Sequence, residues 1–160
     1  TDGAAFVTGA SGAFYHAVES ANEYDVLLAA INQLNLSNYQ PSAILVNPTD
    51  MHKIALLKAT TNEYLRNQIY SGLTPTIMGV PVTANTAVTA GKFLVGDLNQ
   101  ATQLWIRENL SIEFSREDST NFRDGFVTVK VSERVALTNY QPNAIVQGTF
   151  TTAKAALETA

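Results

Sequence analysis

The residues with chemistry to offer begin at Val7-Thr8-Gly9-Ala10-Ser11-Gly12, a glycine-spaced turn of the kind whose backbone amides can cradle a pyrophosphate. A complete dinucleotide fingerprint needs further glycines where Ala13 and Tyr15 stand, and none of the six tyrosines has a lysine four positions on. The turn therefore reads as part of a flexible leader. Imidazole chemistry rests on His16 and His52 alone, which do not share the i, i+4 spacing of a helical metal site. His52 reads as an ordinary helix side chain. Six carboxylates gather late in the chain, Glu108, Glu113, Glu117, Asp118, Asp124 and Glu133, but Arg107, Arg116, Arg123 and Arg134 lie among them. Neighbouring cations hold carboxylates ionised, so this mixture favours ion pairs over an acid/base couple. Ser11 lacks the glycine spacing of a nucleophile elbow, and no serine, histidine and aspartate fall into a triad-like order. Trp105 and Phe122 read as core or interface anchors rather than as a platform for a ligand. The expectation is a chain with no catalytic residues, no cofactor and no metal.

The charged cluster is carried by the most regular pattern in the sequence. Leu110, Ile112 and Phe114 alternate with Ser111, Glu113 and Ser115, and Val127, Val129 and Val131 alternate with Thr128, Lys130 and Ser132. Period two puts each set on one face of a strand, so the pair predicts a long β-ribbon with one apolar face. Its tip, with Arg116, Glu117, Asp118, Arg123 and Asp124, carries charges of both signs that a core would absorb only as pairs. Such a tip is expected to touch a partner.

A chain of 160 residues, 46% hydrophobic, supports one proper core with an extension rather than two independent domains. With no cysteine there is no disulfide framework and no thiolate metal site. No apolar run approaches the length of a membrane span, and the first residues lack the pattern of a signal peptide. The net charge of −4, without a lysine or arginine stripe, disfavours tight nucleic-acid binding. The chain begins at threonine, so it is expected to be a processed product or an excised piece.

Residues 1–23 and 151–160, small and polar, are predicted to be poorly ordered ends. Leu27, Leu28, Ile31 and Leu34 recur at helical spacing and predict a helix from Asp25 to Leu36. Ser42 to Val46 reads as a strand. Asn47 as cap, Pro48 at the first helical position and Asp50 near the positive end announce a second helix through Met51, Ile54 and Leu57. The polar stretch Ala59 to Pro75 reads as a long exposed loop. Two short strands follow, Gly79 to Val82, where Pro81 demands an edge or first position, and Lys92 to Val95. The result is an α+β body with a mostly antiparallel sheet, formed by 24–104 with 137–150, and a ribbon domain over 105–136.

Ordered phrases along the chain then carry a family resemblance. They are Ile44-Leu45-Val46-Asn47-Pro48 with Met51-His52-Lys53-Ile54-Ala55-Leu56-Leu57; Met78-Gly79-Val80-Pro81-Val82; Gly91-Lys92-Phe93-Leu94-Val95-Gly96; Ser115-Arg116-Glu117-Asp118; Glu133-Arg134-Val135-Ala136-Leu137; and Gln141-Pro142 running to Phe150. Over Tyr24 to Phe150 the chain resembles the C-terminal half of the major capsid proteins of tailed bacteriophages, the Hong Kong 97 type. The resemblance implies a shell subunit with an axial and a peripheral domain, self-assembling into pentamers and hexamers of the full-length parent in the bacterial host cytoplasm and ending in the virion. By itself the chain is expected to be monomeric or weakly associated, without specific nucleic-acid binding and without a membrane.

On that mapping, Thr60, Asn62, Arg66, Asn67 and Gln68 belong to an axial loop around the symmetry axes. Glu113, Arg116, Glu117, Asp118 and Arg123 belong to a peripheral loop near local threefold contacts. The N-terminal arm, extended hairpin and spine helix of the family have no counterpart within the sequence. Where some members form an isopeptide cross-link, the matching positions hold Gly125 and Ser132, so no cross-link is expected. An encapsulin-like cargo shell, a nucleotide-binding oxidoreductase fragment and a generic interaction domain stand as alternatives.

Overall fold

The computed structural model of the chain describes residues 3–7, 17–58 and 75–159. It divides into two units, one formed by Thr1–Thr102 with Asn139–Ala160 and the other by Gln103–Thr138.

The first unit is built on a six-stranded sheet. Its strands are β1 (Ala4–Ala5), β2 (Ala43–Val46), β3 (Thr76–Ile77), β4 (Val80–Ala84), β5 (Lys92–Gly96) and β8 (Ile145–Thr149), in the order β1-β8-β5-β2-β4-β3. The pairs β2·β5, β3·β4 and β5·β8 are antiparallel, while β1·β8 and β2·β4 are parallel. Register aligns Val82, Ile44, Val95 and Val146 in a continuous row across four strands, all of them buried. Pro81, lacking an N–H, precedes the stretch paired with β2, which starts at Val82.

Helix α1 (Glu23–Leu36) supplies Val26, Leu27, Ala30, Ile31 and Leu34 to this core. Its start lies two residues ahead of the predicted one because Asn22 and Asp25 form a reciprocal cap. The Asn22 carboxamide oxygen accepts from the Tyr24 and Asp25 amides, and the Asp25 carboxylate accepts from the Asn22 amide at 3.0 Å. Helix α2 (Pro48–Ala55) starts at the expected Asn47 cap, whose side chain accepts from the Thr49 amide at 3.0 Å. The helix stops at Ala55, so Leu57 lies beyond its end.

Both ends of the chain differ from expectation. Within the predicted leader, Ala4–Ala5 pairs with β8 and Phe6 packs edge-on against Phe93, ring centroids 5.8 Å apart. A two-residue strand is too short to show any alternation in sequence. The predicted tail is helix α5 (Phe150–Glu158), which buries Phe150, Ala153 and Leu157. Its apolar stripe is i, i+3, i+7, with a small alanine in the middle that disguises the periodicity. Lys154 on this helix meets Glu23 of α1 at 2.8 Å.

Asp50 stands in the first turn of α2 as expected and has a further role. It is 1% exposed, accepts from the Gly91 amide at 2.5 Å and takes the Lys53 ammonium at 3.0 Å. Its hydrogen bond and charge raise the pKa of Lys53 above the usual lysine value. Asn47 assists by donating to the Val88 carbonyl at 2.7 Å, and the Gly91 carbonyl accepts from the Phe150 amide at 2.8 Å. The turn before β5 is thus tied to α2 on one side and α5 on the other. Gly91 holds φ at 82°, a left-handed conformation that favours glycine.

Candidate functional site

The second unit is a two-stranded ribbon of β6 (Thr102–Ser115) and β7 (Thr128–Asn139), preceded in the chain by the short helix α3 (Leu98–Ala101). At 14 residues, β6 extends for about 45 Å. The Ser111 and Ser132 hydroxyls lie 2.9 Å apart and Glu113 meets Lys130 at 3.2 Å, so ascending positions on one strand face descending positions on the other. The ribbon is therefore antiparallel. These contacts also assign its faces. Ser111, Glu113, Lys130 and Ser132 share one, so alternation puts Leu110, Ile112, Phe114, Val129 and Val131 together on the other.

Burial in this unit is the reverse of a core. No residue of Gln103–Thr138 is buried, and the least exposed are Ser111, Asn121, Thr128, Ser132 and Thr138, all polar. Ile112, Val129 and Val131 are more than half exposed, and Phe114 reaches 72%. Of the eighteen exposed large hydrophobic residues among those described, thirteen lie in this one unit. A contiguous apolar surface of this kind marks an interaction site.

At the tip, helix α4 (Asn121–Asp124) is closed by Gly125 in a left-handed conformation, with φ at 74°. Asp118 accepts from the Thr128 hydroxyl at 3.1 Å, and the Asn121 carboxamide donates to that same hydroxyl oxygen at 2.5 Å. The Asp118 carbonyl accepts from the Asn121 amide at 3.0 Å, and the Ser115 hydroxyl accepts from the Glu117 amide at 3.2 Å. The charged loop is therefore held by its own short polar side chains.

The tip residues singled out by sequence divide by what they touch. Glu113 pairs along the ribbon with Lys130, and Asp118 serves the loop scaffold. The side chains of Arg116, Glu117 and Arg123 take no hydrogen-bond or ion-pair partner among the described residues, which leaves them available to a second molecule. Thr60, Asn62, Arg66, Asn67 and Gln68 lie outside the described residues, as do Thr8 to Gly12 of the glycine turn and His16. Glu108 and Arg134, two of the charges read in sequence as favouring ion pairs, meet at 3.5 Å; Phe122 is 84% exposed and so no core residue, and sequence reasoning missed Phe126, 67% exposed. Two phenylalanines inside a run of charges were the available signal.

Among the described residues the first unit has an open groove of about 590 Å³, lined by Thr89, Lys92, Gln147 and Thr149 among others. It presents a single charged group and no carboxylate, so it has no acid/base pair to offer. His52 donates from Nδ1 to the Pro48 carbonyl at 2.6 Å within its own helix. Among the described residues no three metal-ligating side chains converge, and no helix is long and apolar enough to cross a membrane.

Residues 2–150 match the family model described as the phage capsid family. The chain is 39% identical over 126 residues to the major capsid protein of Enterobacteria phage HK97, a match that covers 79% of this chain and 33% of that protein. Among solved structures, it is similar to the capsid of an empty GTA particle, with a TM-score of 0.69, 18% identity and coverage of 92% of this chain and 50% of the other. A structure from Mycobacterium phage Che8 aligns with a TM-score of 0.61 at 15% identity, covering 91% and 53%. The chain thus spans a third of the length of its curated relative and about half that of these solved chains.

Proposed function

Because the chain belongs to the phage capsid family, we propose that it is the axial and peripheral part of a shell subunit, acting entirely through surfaces that meet further copies. The observation that carries this reading is the exposed apolar face of the ribbon, Leu110, Ile112, Phe114, Val129 and Val131. An isolated molecule gains nothing from leaving such a surface in water, whereas a repeating assembly buries it many times over. The tip supplies specificity, with Arg116, Glu117 and Arg123 pairing across subunits, Glu113 adding to the same charged surface and Asp118 holding the loop in shape. Thr60, Asn62, Arg66, Asn67 and Gln68 are proposed as the second contact, around the symmetry axes.

Heterologous contacts of this sort close into rings, and rings joined by weaker contacts make a shell whose stability comes from multiplicity. Modest individual contacts let misplaced subunits leave. No reaction centre takes part. The acidic balance suits a wall that encloses DNA without gripping it. The cargo-shell and oxidoreductase alternatives are not favoured, since the curated relative is a phage major capsid protein.

The test is electron microscopy, with light scattering, of the gene product that carries this chain. Closed shells or pentameric and hexameric rings, lost on reversing Arg116→Glu, are the expected result. A product that stays monomeric at every concentration and salt, or shells indifferent to Arg116, would speak against the proposal.

A further inference from the structure

Among the described residues the sheet of the first unit ends at β1. The Phe6 amide donates inward to the Gln147 carbonyl of the neighbouring strand at 3.1 Å, so the Ala5 and Val7 backbone groups point outward, away from β8. There the Gln33 carboxamide, from helix α1, meets them both. Its nitrogen donates to the Ala5 carbonyl at 3.0 Å, and its oxygen accepts from the Val7 amide at 3.2 Å. A primary amide presents the same donor and acceptor pair as a peptide group. Gln33 therefore occupies the hydrogen-bonding position of one residue of a seventh strand.

Beyond the shortness of β1, this segment carries none of the charge or proline that blunts an edge strand. Gly3-Ala4-Ala5-Phe6-Val7 contains no lysine, no proline and no charge, and Val7 is 41% exposed. An uncharged extended segment of small and apolar residues is also self-compatible, because nothing in it repels an identical strand. We propose that Gln33 is the closure of this edge: it denies the Ala5 and Val7 backbone groups to the same segment of a second copy. Copies are thereby prevented from joining sheet to sheet.

The test compares the full chain with Gln33→Leu, which keeps the helix propensity and removes the amide. At dilutions where both proteins are monomeric, hydrogen exchange at the Val7 amide is expected to rise at least tenfold in the variant. On concentration the variant is expected to gain more mass by light scattering than the wild type while its Val7 becomes protected again, whereas Val7 protection in the wild type does not change with concentration. Unchanged Val7 exchange overturns the proposal, and so does association that matches the wild type or leaves Val7 open. Gln33→Met, an unbranched apolar replacement, repeats the measurement should the leucine variant fold poorly, with far-ultraviolet circular dichroism as the check on folding.

Discussion

Asp50 shows how one buried carboxylate can organise several elements. It satisfies the Gly91 amide from within the core side of α2, while its cation partner Lys53 stays in solvent. The exposed half of that pair contributes little, so the cost of Asp50→Ala lies in the orphaned amide and lost charge-assisted bond, about 2–3 kcal/mol in urea unfolding. Gly91→Ala has free space around the new methyl, so only the left-handed backbone resists it, at about 1 kcal/mol by the same measurement. Glu23 adds a pH dependence. Burial pushes its pKa up, but the hydrogen bond from Lys154, a backbone hydrogen bond and the charges of Lys154 and Lys53 together hold it below the ordinary 4.5. A carboxylate lowered on folding stabilises the protein above its unfolded pKa, and this contribution disappears as pH falls through the lowered value. Lys154→Met is therefore expected to lose about 1 kcal/mol or less at neutral pH and to converge on the wild type in acid, as thermal melts across pH will report.

At the scale of elements, helix α5 and the ribbon make opposite predictions. Leu157 is fully buried against α1 and the sheet, so Leu157→Ala should destabilise the first unit by about 2–5 kcal/mol. Ile112 is half exposed on the open face of the ribbon, outside any core, so Ile112→Lys should leave the melting temperature within the reach of about 0.5 kcal/mol. Its effect belongs to association. Sedimentation of the gene product that carries this chain should show the larger species reduced or absent with Ile112→Lys, and retention of those species would place the contact elsewhere.

For the whole molecule, the division into two units has a consequence for folding. Thr102 and Asn139 bracket the ribbon, and the Ala101 carbonyl accepts from the Tyr140 amide at 2.9 Å, so the first unit brings its own chain ends together. Replacing Gln103–Thr138 by a short Gly/Ser linker should leave one cooperative calorimetric transition. A chain that no longer melts cooperatively would show that the ribbon is needed for the first unit to fold. The sequence alone determined the elements with a clear period or a cap: α1 from its apolar stripe, α2 from Asn47 and Pro48, and the ribbon from strict alternation between Leu110 and Ser132. Those signals are local, and the chain carries them whatever it packs against. Only the tertiary structure decided that Ala4 and Ala5 complete the sheet, that a stripe of Phe150, Ala153 and Leu157 makes the last residues a core helix, and that Asp50 and Gln33 hold distant backbone groups. The partners in each case lie far apart along the chain, so no spacing records them, and the hydrogen bonds and burial that fix them exist only once the sheet has formed.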